Sequence, residues 1–168
     1  MVARHVLKAF TAHVDGRGYA GDVTEFNAPE LALKTEEFRA GGMAAGVDIN
    51  QGMEKLVADM TLTGTDPNVL ALFGMVEGQF VPVVLRESLE SYDGVKTGVT
   101  HTMRGKLIKV EQGTSKPGEA KPQKYSFSLN YYKMQHGDRV VHEIDVINMV
   151  HIVDGVDVLA EQRSHLGI

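Results

Sequence analysis

A β-rich α+β domain is the fold class this sequence predicts, a sandwich or barrel with one flanking helix. Three observations predict it. Tight-turn signals recur along the chain, the segments between them alternate apolar and polar residues with a period of two, and one stretch carries a clear helix start.

The turn signals are Asp15-Gly16, Asp93-Gly94, His136-Gly137-Asp138 and Asp154-Gly155, pairs in which glycine accepts positive φ without steric cost. The first strand signals are Lys34 to Arg39 and Val47 to Asp59, separated by the glycine-rich stretch Ala40 to Gly46. Within the second, Leu56, Ala58, Met60 and Leu62 share one face while Val57, Asp59, Thr61 and Thr63 share the other. Asp66-Pro67 starts a helix, because Asp caps free backbone N–H groups and Pro fits the first helical position. The helix over Asn68 to Met75 is expected to turn Val69, Leu70, Leu72 and Phe73 inward. Phe80 to Leu89 and Val99 to Val110 read as strands, with Pro82 marking the first as an edge strand or a strand start. Gln112 to Lys124 is free of large apolar residues and rich in Pro, Gly and Lys, the composition of an exposed hairpin loop. Tyr125 to Tyr131 alternates without a fault. Val140 to Val153 continues the pattern with a break near Val146-Ile147, and Val156 to His165 has a second, shorter helical spacing, with Arg163 placed to complement its dipole.

The bulk properties narrow the function classes. A chain of 168 residues suits a single domain, 1–168, with its own core. Hydrophobic residues at 43% and charged residues at 23% are ordinary for a globular protein. A net charge of −5, with no cationic run, argues against a protein that grips nucleic-acid phosphates. The absence of cysteine excludes disulfides and thiolate metal sites. The start of the chain, MVARHVLKAFTAHVDG, lacks the apolar run of a signal peptide, and no stretch of eighteen apolar residues provides a membrane anchor. Synthesis and folding in a cytoplasm are expected.

The candidate chemical motifs are weak. Arg39-Ala40-Gly41-Gly42 lacks the lysine, the hydroxyl residue and the following helix that a phosphate loop needs; Val47 to Asn50 after it alternates like a strand. A wide hairpin loop at 40–46 is the better reading. His142-Glu143 lacks the second histidine of a helical zinc motif. Glu143 and Asp145 share a strand face, and a small β-barrel enzyme or ligand-binding protein using Glu143, Asp145 and His142 is the reading from a different function class; no convergent nucleophile supports it. Asp154 and Asp157 lack calcium-ligand spacing. No cofactor or metal is expected, and the chain is expected to work through its surfaces.

Two segments, LALKTEEFRAGGMAAGVDINQGM (31–53) and EIDVINMVHIVDGVDVLAEQRSHLGI (143–168), together with Asp15-Gly16, Arg104-Gly105 and Tyr131-Tyr132-Lys133, fall in an order that resembles the major tail tube protein of contractile-tailed, P2-like bacteriophages and of R-type bacteriocins. A type VI secretion tube protein, which shares that fold, is the runner-up. The resemblance implies two packed antiparallel sheets with one flanking helix. It also implies hexameric rings stacked into a hollow tube inside a contractile sheath, with strands of neighbouring subunits joined around the channel. The implied partners are the chain itself, the tail sheath protein, and the tape-measure, baseplate and tail terminator proteins, in a virion tail or bacteriocin particle. DNA, or ions in a bacteriocin, would pass without specific binding. On that basis Glu37, Asp48 and Asp59, partly offset by Arg39, are expected on the channel wall. Ala40, Gly41, Gly42, Met43 and Gly46 are expected where one ring approaches the next, with the chain ends. Arg163-Ser164-His165 departs from the family pattern.

Overall fold

The computed structural model describes residues 4–168. In chain order these form β1 (Val6–Val14), β2 (Arg17–Gly18), β3 (Val23–Asn27), β4 (Leu33–Phe38), β5 (Val47–Met53), β6 (Val57–Leu62), α1 (Pro67–Leu70), β7 (Val81–Glu90), β8 (Lys96–Glu111), β9 (Gln123–His136), β10 (Arg139–Asp145), β11 (Val150–Val153), β12 (Val156–Asp157) and α2 (Ala160–Leu166). All strand pairs are antiparallel and fall into two sheets, one of ten strands and one consisting of β4 and β5 alone.

The larger sheet runs β12-β11-β10-β9-β8-β7-β1-β2, and it branches at β9. On the side of β9 away from β8, residues Gln123–Ser128 pair with β6, whereas Tyr131–His136 pair with β10. β6 in turn carries β3. Two register shifts in β8, at Arg104/Gly105 and Leu107/Lys109, bend the long β8–β9 hairpin. The β6 arm thereby packs against the β1–β7 arm, so the two layers of the core are parts of one bent sheet. At the first bend a Cβ on Gly105 would overlap the Ser128 carbonyl, which explains the glycine by close backbone approach.

The alternation read from the sequence sets the core. Leu56, Ala58, Met60 and Leu62 are buried from one arm, with Tyr125, Phe127 and Leu129 from β9; Ala12, Val14, Val81, Val83 and Leu85 face them from the other. The fully buried Gln123 side chain is paired at both ends of its amide, as a low-dielectric interior favours. Tyr125 donates to Gln123 Oε1 (2.7 Å) and Gln123 Nε2 donates to Thr65 Oγ1 (2.8 Å). Asp15-Gly16 and Asp154-Gly155 each place two consecutive residues at positive φ, 51° and 78°, then 50° and 85°. That double requirement is what Asp-Gly meets in a two-residue hairpin turn.

Of the two readings of Pro82, the strand start holds: β7 is flanked by β8 and β1, and the Pro82 carbonyl accepts the Asp15 N–H (2.9 Å). Three expectations need adjustment. Asp66 caps α1 as expected, its carboxylate accepting from the Asn68 N–H (2.7 Å). That helix nevertheless closes after Leu70; Val69 alone is fully buried, and Phe73 is 55% exposed. A single turn presents only one side chain squarely to the core. The exposed loop ends one residue before Gln123, because Gln123 and Lys124 already pair with β6. Finally, Val156 and Asp157 form a strand against β11, so the last helix begins at Ala160 and ends on left-handed Gly167 (φ 71°). No residue of α2 is buried. Arg163 holds it in place by donating to Asp157 (2.5 Å) and to the Met149 carbonyl (2.8 Å).

Candidate assembly surface

β3 and β6 are the lower half of one long hairpin whose upper half, β4 and β5, peels away from the main sheet. The ladder passes through the join, where the Glu54 N–H donates to Ala32 O (2.8 Å). Above it the ribbon stands alone. Every residue of β4 is exposed, and only Met53 at the root of β5 is partly buried. Neither outer edge of the ribbon has a partner strand among the described residues.

The register decides what the ribbon presents. Phe38 lies opposite Val47 and Glu36 opposite Ile49, so these share one face; Glu37 lies opposite Asp48 and Thr35 opposite Asn50 on the other. One face is therefore apolar, with Phe38, Val47 and Ile49 between 44% and 51% exposed, and its one carboxylate, Glu36, accepts from Gln51 Nε2 (3.3 Å). The opposite face is acidic. Two carboxylates directly opposed across a ladder repel one another, and an isolated two-stranded ribbon is marginal in water. Both features are unfavourable in a lone subunit.

Arg39 leaves the ribbon into the loop that runs to Gly46. The loop is closed locally: the Met43 N–H donates to Ala40 O (3.2 Å), the Ala40 N–H approaches Met43 Sδ (3.2 Å), and Gly42 has φ 88°. Gly41 and Gly42 border open space, whereas a Cβ on Gly46 would overlap the Glu37 side chain. The ribbon thus gathers Glu37, Arg39 and Asp48 near one end. Asp59 does not join them. It stands on β6, accepts from Ser126 Oγ (2.5 Å) and lies 3.9 Å from Lys124 Nζ, a structural carboxylate of the main sheet.

The residues of the enzyme reading are not assembled into a reactive site. Glu143 accepts from the Tyr131 hydroxyl (2.9 Å), and burial, reinforced by that carboxylate, pushes the hydroxyl up to about 12. Burial would raise Asp145 as well, but hydrogen bonds from Asn148 and the nearby Arg104 outweigh it and hold the carboxyl below its usual range. His142, immediately before Glu143 in sequence, points to the other side of the strand, where its ring lies 6.1 Å from that of His151. No trio of His, Asp or Glu among the described residues is placed to hold a metal.

Sequence reasoning missed the apolar face. Its signal, Phe38, Val47 and Ile49 alternating with charged residues, is that of an ordinary half-buried strand; nothing in the pattern says that neither face is covered. It also missed Gly52, whose φ of 112° accompanies the register shift at the ribbon root.

A packed β body carrying an uncovered, two-edged ribbon defines an assembly subunit. Residues 4–167 match the family described as Phage tail tube protein FII, and the chain belongs to that family. It is 30% identical over 166 residues to the tail tube protein of Escherichia phage P2, covering 96% of each chain. It is 28% identical over 165 residues to the major tail tube protein of Serratia phage KSP20, covering 96% of this chain and 95% of that one. A chain in the cryo-EM structure of the anti-feeding prophage (AFP) baseplate, 6-fold symmetrised, is 12% identical with a TM-score of 0.49, over 77% of this chain and 91% of that one. The chain is a structural component of the tail tube of contractile-tailed phages, not an enzyme.

Proposed function

We propose that copies of this chain close into hexameric rings through their ribbons, and that the rings stack into the hollow inner tube of a contractile tail. The observation that carries this reading is the ribbon itself, exposed on both faces and unpaired on both edges. Pairing β5 of one copy with β4 of the next removes the open edges and continues the antiparallel alternation, because β4 and β5 are themselves antiparallel. The acidic face of Glu37 and Asp48 then lines the channel, where like charge keeps DNA from adhering. The loop Ala40–Gly46, carrying Arg39 at its base, meets the adjacent ring.

The sheath protein surrounds this tube, with the tape-measure, baseplate and terminator proteins at its interior and ends, after synthesis in the bacterial cytoplasm. The phage origin of the P2 and KSP20 relatives favours a DNA conduit over an ion channel. Electron microscopy of the purified, assembled protein tests the reading. Hollow tubes of uniform bore with six subunits per ring are expected; a persistent monomer at high concentration overturns it. Charge reversal at Glu37 and Asp48 together should leave assembled particles that eject DNA poorly, and unimpaired ejection would remove these residues from the channel wall.

A further inference from the structure

The last helix is well closed but covers nothing. A helix of seven residues is too short to be stable in water by itself, and no residue of α2 is buried. Its end is sealed on Gly167: the Gly167 N–H donates to Ser164 O and the Ile168 N–H to Arg163 O, each at 3.2 Å. This closed end holds out Leu166 and Ile168, 64% and 75% exposed, beside the basic residues of the last turn, Arg163 and His165. Neither apolar side chain has a packing role in the lone subunit.

At the other end of the strand order lies a groove of about 270 Å³. Leu7 and Phe10 of β1 and Phe26 of β3 form its apolar walls, and the carboxylates of Glu25 and Glu87 border it. The strand edges beside it are open among the described residues: β2 covers only His13 and Val14 of β1, and β3 pairs with β6 alone. An apolar groove between two unpaired edges is a surface that folding has left unfinished.

The strand order puts helix and groove on opposite sides of the subunit. β4 continues from β3 and β5 leads into β6, while β6 connects through β9 to β10, β11 and β12, after which α2 follows. A copy whose β4 pairs with this copy's β5 therefore stands on the α2 side, and it turns its own β3 side, with the groove, toward α2. We propose that α2 of one copy docks in the β1–β3 groove of the next. Leu166 and Ile168 enter between Leu7, Phe10 and Phe26, as the apolar face of a helix enters a groove. Arg163 is bound to Asp157, so His165 is the basic residue of the last turn that meets Glu25 and Glu87. The contact joins two different patches, the arrangement that closes into a ring when copies are related by rotation. Which sides meet rests on the ring-closure reading above; the contact itself lies outside the ribbon and uses no strand pairing.

The chain has no cysteine, so Leu166→Cys can carry a benzophenone maleimide at that position alone. The labelled variant is assembled as a minor component with isotope-labelled unmodified chain, irradiated and digested, and the crosslinked peptides are identified by mass spectrometry. Crosslinks to residues 6–10 or 23–27 of the isotope-labelled copy are expected. Assembled particles with crosslinks only to other segments, or with none, overturn the docking and leave ring closure standing. If the unmodified chain forms neither rings nor tubes, both fail. A second variant, Leu166→Ser/Ile168→Ser, should melt like the parent while the concentration needed for assembly rises at least about tenfold; unchanged assembly also overturns the docking.

Discussion

The β3–β6 pair and the β4–β5 ribbon are consecutive stretches of one long hairpin, yet they present opposite cases. In β6, the apolar residues Ala58, Met60 and Leu62 are at most 1% exposed; in the ribbon, Phe38, Val47 and Ile49 remain about half exposed. The alternation is similar in both. What differs is whether a second layer covers the apolar face. The body is stabilised within one chain, whereas the ribbon is completed between chains, so substitutions in the two should separate stability from assembly.

Phe127→Ala should have the largest effect on folding. It removes a fully buried ring between the two layers, and a loss of about 3–5 kcal/mol is expected in denaturant unfolding. A loss below about 1 kcal/mol would mean that the body is not the cooperative unit described. Gly105→Ala should cost about 1–3 kcal/mol, because the added methyl must displace the Ser128 carbonyl at the bend that brings the layers together. A neutral effect would show that the bend tolerates relaxation.

Acid should act next, in two stages. Burial and the adjacent His142 lower the pKa of His151 below its ordinary 6.5, so the unfolded chain binds this proton more readily. Stability should therefore begin to fall as the pH drops through about 6.5, and His151→Asn should abolish that first decline in melting temperature. The carboxyls of Asp154 and Asp157 are lowered by their hydrogen bonds to Arg139 and Arg163. Their contribution is present above the ordinary carboxylate range and disappears only as the pH falls through their lower folded values. An acid transition with no histidine step would separate the His142–His151 contact from stability.

The smallest effect on folding should come from the ribbon. Phe38→Ser/Ile49→Ser should change the stability of the monomer by no more than about 0.5 kcal/mol, as at other exposed positions, while abolishing tubes in electron micrographs. A destabilised monomer would place the ribbon within the folding unit and erase the contrast with β6.

Much of the body could be read from the chain. The faces of Leu56–Leu62 and Tyr125–Leu129 follow from period-two alternation, and the Asp-Gly hairpins and the Asp66 cap from local stereochemistry. Local signals were weaker where a competing contact decided the outcome. Arg163 looked like a complement to the helix dipole, but its guanidinium also reaches Asp157 and Met149, which hold a helix that has no buried side of its own. Asp59 looked like another acidic residue of the strand series containing Asp48, but pairing of β6 with β9 brings Ser126 and Lys124 to it. His142 and Glu143 looked adjacent, yet a strand sends them to opposite sides.

By itself, the sequence determined which residues could form strands and where the hairpins turn. It also held the glycine-rich stretch between two strands that marks the ribbon. Only the tertiary structure decided that β9 divides its edge between β6 and β10, that the β4–β5 ribbon leaves the main sheet with its outer edges unpaired, and that the β10–β11 turn lies beside its root. The reason is physical: alternation records which side of a strand is apolar, but the partner that covers that side is chosen by long-range pairing.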